Sequence, residues 1–239
     1  SLDIDGFDTA HKAAILASIA YGGWFTTKDV HVEGIRNVTL ADVRNADCFG
    51  CKIKLLAIVK RNEDGRIELR VHPALVPKTA LIAKIDDVFN GVMVNGDFVG
   101  DALFYGRGAG RMATASAVVG DIADAALDFV NKTAGRTPSH RKERLSAGLI
   151  PMKEIRTRYY MRIVVADKVG TLGKLATALG NHGISISRIV QADAKDQDSV
   201  PVIIATHEAV ESDVQAAKQE MEQLPEVRGE ACIIRIEEL

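Results

Sequence analysis

Tyr159-Tyr160-Met161-Arg162-Ile163-Val164-Val165-Ala166, followed by Asp167-Lys168-Val169-Gly170-Thr171-Leu172, decides the architecture of the C-terminal part of the chain. Met161, Ile163 and Val165 set against Arg162 and Val164 suit a strand with one covered face. The turn then delivers the chain into an apolar-periodic stretch, Leu172–His182, that reads as a helix. Beyond it come strand candidates Ile184–Gln191, Val200–His207 and Ala231–Ile236, with a second helix over Glu211–Gln223. The order is βαββαβ across 158–239, a split-βαβ, ferredoxin-like unit.

Upstream, residues 132–157 change character. Thr, Gly, Pro and Ser accumulate around His140-Arg141-Lys142-Glu143-Arg144, and the stretch reads as a linker with a solvated charge run. Residues 1–131 form a different unit. A helix over Asp8–Ala20 is expected to bury Ala13, Ile15, Leu16, Ile19 and Ala20, and Gly22-Gly23 end it. Val30–Val32 and Ile35–Val38 read as short strands, and Leu40–Ala46 as a helix capped by Thr39. Lys52–Arg61 and Ile67–Val71 flank Asn62-Glu63-Asp64-Gly65 as a hairpin. Phe89–Val94 and Phe98–Tyr105 flank Asn95-Gly96-Asp97 as another. A Gly-rich loop, 106–110, leads to a helix over Thr114–Val130. Such strands call for helices on both faces, so the expected class is α/β (α+β): a mixed sheet with flanking helices, then the ferredoxin-like unit.

Composition narrows the function. The chain has 239 residues and a formal net charge of −2, which gives no general attraction to nucleic acid or an anionic membrane. No apolar run approaches the ~20 residues of a membrane span. Three cysteines in an otherwise ordinary composition point to a reducing cytoplasm. The opening Ser1-Leu2-Asp3 carries no signal-peptide pattern and no initiating Met, and reads as a piece of a longer protein.

Chemistry concentrates in Ser1-Leu2-Asp3-Ile4-Asp5-Gly6-Phe7-Asp8-Thr9-Ala10-His11-Lys12. A helix places Asp8 and Lys12 on one face, one turn apart. On spacing alone this is an exposed ion pair of a few tenths of a kcal/mol. Asp-x-x-Gly-x-Asp-x-x-x-Lys before an apolar helix, however, resembles the active-site motif of homoserine dehydrogenases. Lys52-Ile53-Lys54-Leu55-Leu56-Ala57, Phe89-Asn90-Gly91-Val92, and Phe104-Tyr105-Gly106-Arg107-Gly108-Ala109-Gly110 leading to Thr114-Ala115-Ser116-Ala117-Val118-Val119 extend the resemblance in order.

The resemblance implies reversible reduction of L-aspartate 4-semialdehyde to L-homoserine with NADP or NAD. It makes Asp8 the carboxylate that binds the substrate ammonium, Lys12 the cation beside the carbonyl oxygen, and Asp3 an orienting or substrate-binding carboxylate. His11 is expected to be packing or surface. Gly106, Gly108, Ala109, Gly110 and Thr114 become the segment that approaches the nicotinamide end of the cofactor. A Rossmann reading of that loop fails, because Arg111 stands where the third glycine is required. On the residues alone, its glycines read as a tight turn needing positive φ. Ala113 replaces the proline usual in the family. The resemblance places the main dinucleotide-binding domain upstream of Ser1, so the isolated chain is expected to lack dehydrogenase activity. Cys48-Phe49-Gly50-Cys51 lacks two further ligands for zinc, so no metal site is expected and both cysteines are expected buried.

Asp167-Lys168-Val169-Gly170-Thr171-Leu172 and Asn181-His182-Gly183-Ile184-Ser185-Ile186 resemble the ACT domain, an amino-acid-binding module. The resemblance makes Asp167, Gly170, Thr171, Leu172, Ser185 and Ile186 the effector site, with L-threonine the favoured effector. Val169 and Ser185 depart from the usual Pro and Asn. It also implies side-by-side pairing, hence a homodimer or homotetramer. The alternative is a non-catalytic amino-acid sensor, which needs neither Asp8 and Lys12 nor the glycine loop.

Overall fold

The computed structural model describes residues 2–133, 148–191 and 199–238. The run at 140–144 lies outside them. Contacts divide the chain into two units, residues 1–77 with 142–239, and residues 78–141.

In the larger unit, helix α1 spans Phe7–Tyr21, with left-handed glycines at both ends: Gly6 at φ 83° and Gly22 at φ 68°, whose N–H donates to the Ser18 carbonyl. Of the expected stripe only Ala13 is buried. Ala10, Ala13, Ala14, Ala17 and Ser18 face the sheet, while Ile15, Leu16 and Ile19 are 57%, 44% and 62% exposed. Both stripes satisfy helical periodicity. The alanines win because they let the helix lie close on Val30, Ile67, Leu69 and Val71.

Strand β1 shrinks to His31–Val32, and Ile35–Val38 is a turn closed by the Val38 N–H on the Ile35 carbonyl. Helix α2 spans Leu40–Cys48 behind a reciprocal Thr39–Asp42 capping box. Strands β2 (Cys51–Arg61) and β3 (Ile67–Pro77) pair in unbroken antiparallel register from Cys51–Pro77 to Arg61–Ile67. Gly65, at φ 84°, closes their turn.

The C-terminal residues give β6 (Arg156–Ala166), α4 (Thr171–Asn181), β7 (Ile186–Gln191), β8 (Ser199–Thr206), the short β9 (Ala209–Val210), α5 (Glu211–Glu222) and β10 (Cys232–Ile236). Their order, β10-β6-β8-β7 with antiparallel neighbours, is ferredoxin-like. Strand β10 also pairs in parallel with β3, Arg235 opposite Ala74, so one mixed eight-stranded sheet runs through the unit. Residues 148–150, expected in the linker, lie against β3: Ile67 N–H donates to the Gly148 carbonyl and Ile150 N–H to the Ile67 carbonyl.

Tyr159, Met161, Ile163 and Val165 of β6 pack with Leu175, Leu179, Val214 and Met221 of α4 and α5. The opposite face is covered too, since Tyr160 and Ile234 pack with Leu75 and with Ala46 of α2.

In the smaller unit β4 (Phe89–Gly96) and β5 (Gly100–Arg107) form their own two-stranded sheet rather than joining a mixed one. Their turn falls at Asp97–Val99, beyond the expected position. Helix α3 spans Arg111–Asn131, three residues earlier than expected, and none of its side chains is buried.

Candidate functional site

Helix α1 brings two of the expected residues together. The Lys12 ammonium donates to the Asp8 carboxylate at 2.6 Å, with side chains 53% and 45% exposed. Asp3 is exposed in the turn before the helix, its carbonyl accepting from Gly6 N–H at 3.2 Å. His11 is exposed. This surface carries an anchored cation and two carboxylates, a set able to hold an ammonium group and protonate an oxyanion.

The turn that leads from Asp3 into α1 is fixed by residues that sequence reasoning missed. Ile35 N–H donates to the Ile4 carbonyl at 2.9 Å. Arg36 grips the Asp5 carboxylate at 2.5 and 2.9 Å, and this hydrogen bond holds the Asp5 pKa down at about 2. A Cβ on Gly34 would stand 2.5 Å from the Ile4 carbonyl oxygen, so only glycine allows the approach. One on Gly6 would press on Val32 and Val71 at 3.2 Å.

Behind that turn is a buried polar layer. The Arg235 guanidinium donates to Glu211 at 2.6 and 2.8 Å and to Glu33 at 2.8 and 2.9 Å. Tyr159 Oη donates to Glu211 at 2.9 Å. Arg70 reaches Glu237 at 2.6 Å and His72 at 2.5 Å, and the other ring nitrogen of His72 lies 3.0 Å from the Pro73 carbonyl. Burial would raise the Glu33 pKa, but hydrogen bonds from His31 and Arg235 outweigh it and hold the carboxyl below its usual range. Burial, then the charges of Arg235 and Arg70, push His72 down to about 3. A neutral imidazole therefore donates from Nδ1 to the Pro73 carbonyl and accepts at Nε2 from Arg70. No sequence pattern announces partners such as Glu33 and Arg235, which lie 202 residues apart.

In the smaller unit, Gly106, Gly108, Ala109, Gly110 and Thr114 are all exposed. Of these, only Gly110 takes positive φ, at 126°, as the residue before α3; Thr114 N–H donates back to its carbonyl at 2.9 Å. At Gly108 the crowding comes from a neighbouring side chain. A Cβ there would meet the Asn90 carboxamide at 1.9 Å. Phe89 and Tyr105 stack at 4.8 Å beside the loop.

At the other end of the larger unit, a cavity of about 250 Å³ is lined by Asp167, Lys168, Gly170, Thr171, Leu172 and Gln191, among others. Asp167, Gly170, Thr171 and Leu172 thus come together; Ser185 and Ile186 do not line it. Gly170, at φ 87°, precedes α4, whose first residues, Thr171, Leu172 and Gly173, line the cavity. Lys168 and Gln191 are additions: neither residue type nor spacing marked them.

The two cysteines part company. Cys51 is buried, but Cys48, at the last position of α2, is exposed. Burial, then the Asp42 charge, raises the Cys232 thiol to about 11. Among the described residues, no group of three His, Cys, Asp or Glu is placed to hold a metal ion, and no helix is long and apolar enough to cross a membrane.

Comparison with known proteins adds two family matches: the homoserine dehydrogenase family over residues 1–123 and the ACT domain over residues 159–226. A homoserine dehydrogenase from Pseudomonas aeruginosa is 42% identical over 243 residues, covering 100% of this chain and 56% of the relative. One from Neisseria gonorrhoeae is 38% identical over 242 residues, covering 100% and 55%. Among solved structures, a homoserine dehydrogenase from Thiobacillus denitrificans superimposes with a TM-score of 0.89 at 39% identity, covering 99% of this chain and 54% of that one. The chain spans about half the length of the curated relatives it matches.

Proposed function

The chain belongs to the homoserine dehydrogenase family and carries an ACT domain behind the family's catalytic segment, and from that premise we propose that the complete polypeptide interconverts L-homoserine and L-aspartate 4-semialdehyde with NAD or NADP. The observation that carries the reading is the Asp8–Lys12 pair, held at 2.6 Å on one face of α1 within the family-matched segment. Asp8 binds the substrate ammonium and Asp3 supports it. In reduction, Lys12 stands by the carbonyl oxygen, stabilises the charge that develops there and gives it a proton; in oxidation it takes the hydroxyl proton back. The nicotinamide supplies the hydride. Gly106, Gly108, Ala109, Gly110 and Thr114 would meet its reactive end, and the exposed backbone of this glycine-rich loop suits close approach. The remaining cofactor contacts belong to sequence beyond this chain, so the isolated chain is inactive in this reading.

Residues 1–131 serve as the substrate and dimerisation segment, 132–157 as the connection and 158–239 as the regulatory ACT domain. The cavity at Asp167–Gly170 receives an amino acid, L-threonine first among candidates, as feedback control of threonine, methionine and isoleucine synthesis in the cytoplasm. Assembly as a homodimer or homotetramer would cover the apolar residues of α3 that stand exposed, such as Val119, Ile122 and Phe129. A non-catalytic amino-acid sensor is the second reading, favoured by the cavity lying wholly within the chain.

Lys12→Ala in the complete polypeptide is expected to abolish turnover while cofactor binding, followed by nicotinamide fluorescence, stays within about twofold. Normal turnover removes Lys12 from the mechanism. Calorimetric titration with L-threonine and related amino acids tests the regulatory half, and absence of heat leaves the module a dimerising element.

A further inference from the structure

We propose that Arg235 is a positioning residue for the substrate end of the site: it grips Glu33 with one side of its guanidinium and Glu211 with another, and through Glu33 sets the place of the turn that Asp3 and Asp8 flank. This rests on the reading of those two carboxylates as substrate-binding.

The connection can be followed bond by bond within one unit of the structure. Glu211 is the first residue of α5 and accepts from Arg235, from Tyr159 Oη and from Gln215. Arg235, on β10, is almost wholly buried and donates twice to Glu33. Glu33 prolongs β1, its N–H bonded to the Val71 carbonyl at 2.8 Å. The next residue, Gly34, lies against Ile4 and Asp5 so closely that a methyl group would collide with both. Ile35 and Arg36 then bond the Ile4 carbonyl and the Asp5 carboxylate. Displacing the Glu33 carboxylate therefore moves the support on which the Ile4–Gly6 turn rests, and Asp3 and Asp8 flank that turn.

Two features make this more than a structural ion pair. Both ends of the guanidinium are bidentate, a geometry that fixes orientation as well as distance. And the path starts in the C-terminal module: β6, which carries Tyr159, ends at Ala166 on the wall of the cavity at Asp167–Gly170. An amino acid bound in that cavity acts on a strand whose side chain belongs to the Arg235 cluster, which gives the effector a physical route to the substrate carboxylates.

The test uses the complete polypeptide and three variants, Glu33→Gln, Arg235→Gln and Arg235→Lys. Glu33→Gln keeps the shape and leaves the Arg235–Glu211 pair in place, so it is the mildest. Misplacing the carboxylates weakens ground-state and transition-state binding alike, so KM for L-homoserine is expected to rise about tenfold with kcat and cofactor KM within about twofold. Arg235→Lys, which restores a cation, recovers part of the loss that Arg235→Gln shows. A purely structural role lowers the melting temperature and leaves KM alone; that outcome, in variants with wild-type circular dichroism, overturns the proposal.

Should the variants not fold, hydrogen exchange on the wild type decides. L-threonine protection at residues 165–173 is expected to be accompanied by altered exchange at 2–8 and 33–36, and protection confined to 165–173 overturns the route. The underlying site reading fails separately, by an Asp8→Asn variant with an unchanged homoserine KM, and takes the proposal with it.

Discussion

His72 makes the stability of the larger unit dependent on pH in a range where its carboxylates do not. The imidazole is completely buried, its Nε2 occupied by Arg70 and its Nδ1 by the Pro73 carbonyl, and its pKa is pushed down from 6.5 to about 3. Because the folded value lies below the unfolded one, the neutral ring's contribution is complete above pH 6.5 and is lost as pH falls toward 3. The unfolded chain takes up the proton and the folded chain does not. The slope approaches about 1.4 kcal/mol per pH unit, which amounts to about 2 kcal/mol between pH 8 and pH 5. Typical domains are stable by about 5–15 kcal/mol, so this is a large fraction.

Glu33 and Asp5, whose pKa values are also depressed, have unfolded values of 4.5 and 3.8 and lose their contributions only below this window. Urea unfolding at pH 8, 7, 6 and 5 measures the effect, with His72→Gln as the control. Glutamine offers an amide oxygen to Arg70 and an N–H to Pro73 but does not titrate. The wild-type unfolding free energy is expected to fall by about 2 kcal/mol more than that of His72→Gln across the series. Parallel curves for the two proteins would refute the argument that the ring is held neutral by burial.

Two further outcomes follow from the packing. Ala17→Leu forces α1 away from Val71 and Leu69 and is expected to cost about 1–3 kcal/mol, whereas Ile19→Lys on the exposed face stays within about 0.5 kcal/mol, both read by thermal unfolding. Equal effects would mean that the helix is rotated from the orientation described. Gly108→Ala drives the Asn90 carboxamide aside and is expected to raise cofactor KM in the complete polypeptide by about tenfold, with Gly108→Ala/Asn90→Ala recovering much of it; a silent Gly108→Ala removes the loop from cofactor binding.

The main elements of the C-terminal module were legible, because alternation in Met161, Ile163 and Val165 and the Gly170 and Gly183 turns are local signals, but β6 begins at Arg156, inside the expected linker, and the short β9 gave no signal. So was the Thr39 cap, which needs only Asp42 three residues on. The α1 face was not, since bulk marks Ile15, Leu16 and Ile19 as apolar while the choice of buried side depends on how near the sheet lies. The strand pair β4–β5 was legible as a hairpin, but which sheet a hairpin joins is a tertiary matter. In the candidate site, Asp8 and Lys12 were found through the motif and its one-turn spacing. Arg235, Glu33, Glu211 and Arg36 were not, because their partners are distant in sequence and no period or motif connects them. Gln191 entered the cavity for the same kind of reason, by way of β7, whereas Lys168 lies within the quoted Asp167–Leu172 segment.

The position of β10 between β3 and β6 has a consequence for biosynthesis. As the chain leaves the ribosome, β3 is made well before β10, which shares its second edge with β1 and emerges only after the rest of the C-terminal module has been translated. Until then Arg70 and Glu33 are without Glu237 and Arg235, and a strand edge stands open to any neighbouring nascent chain. At about 5–20 residues per second, that interval lasts for seconds. A premature stop before Cys232 would make the interval permanent, so loss of β10 is expected to be felt in the Ile4–Gly6 turn and to send the product toward aggregation or proteolysis.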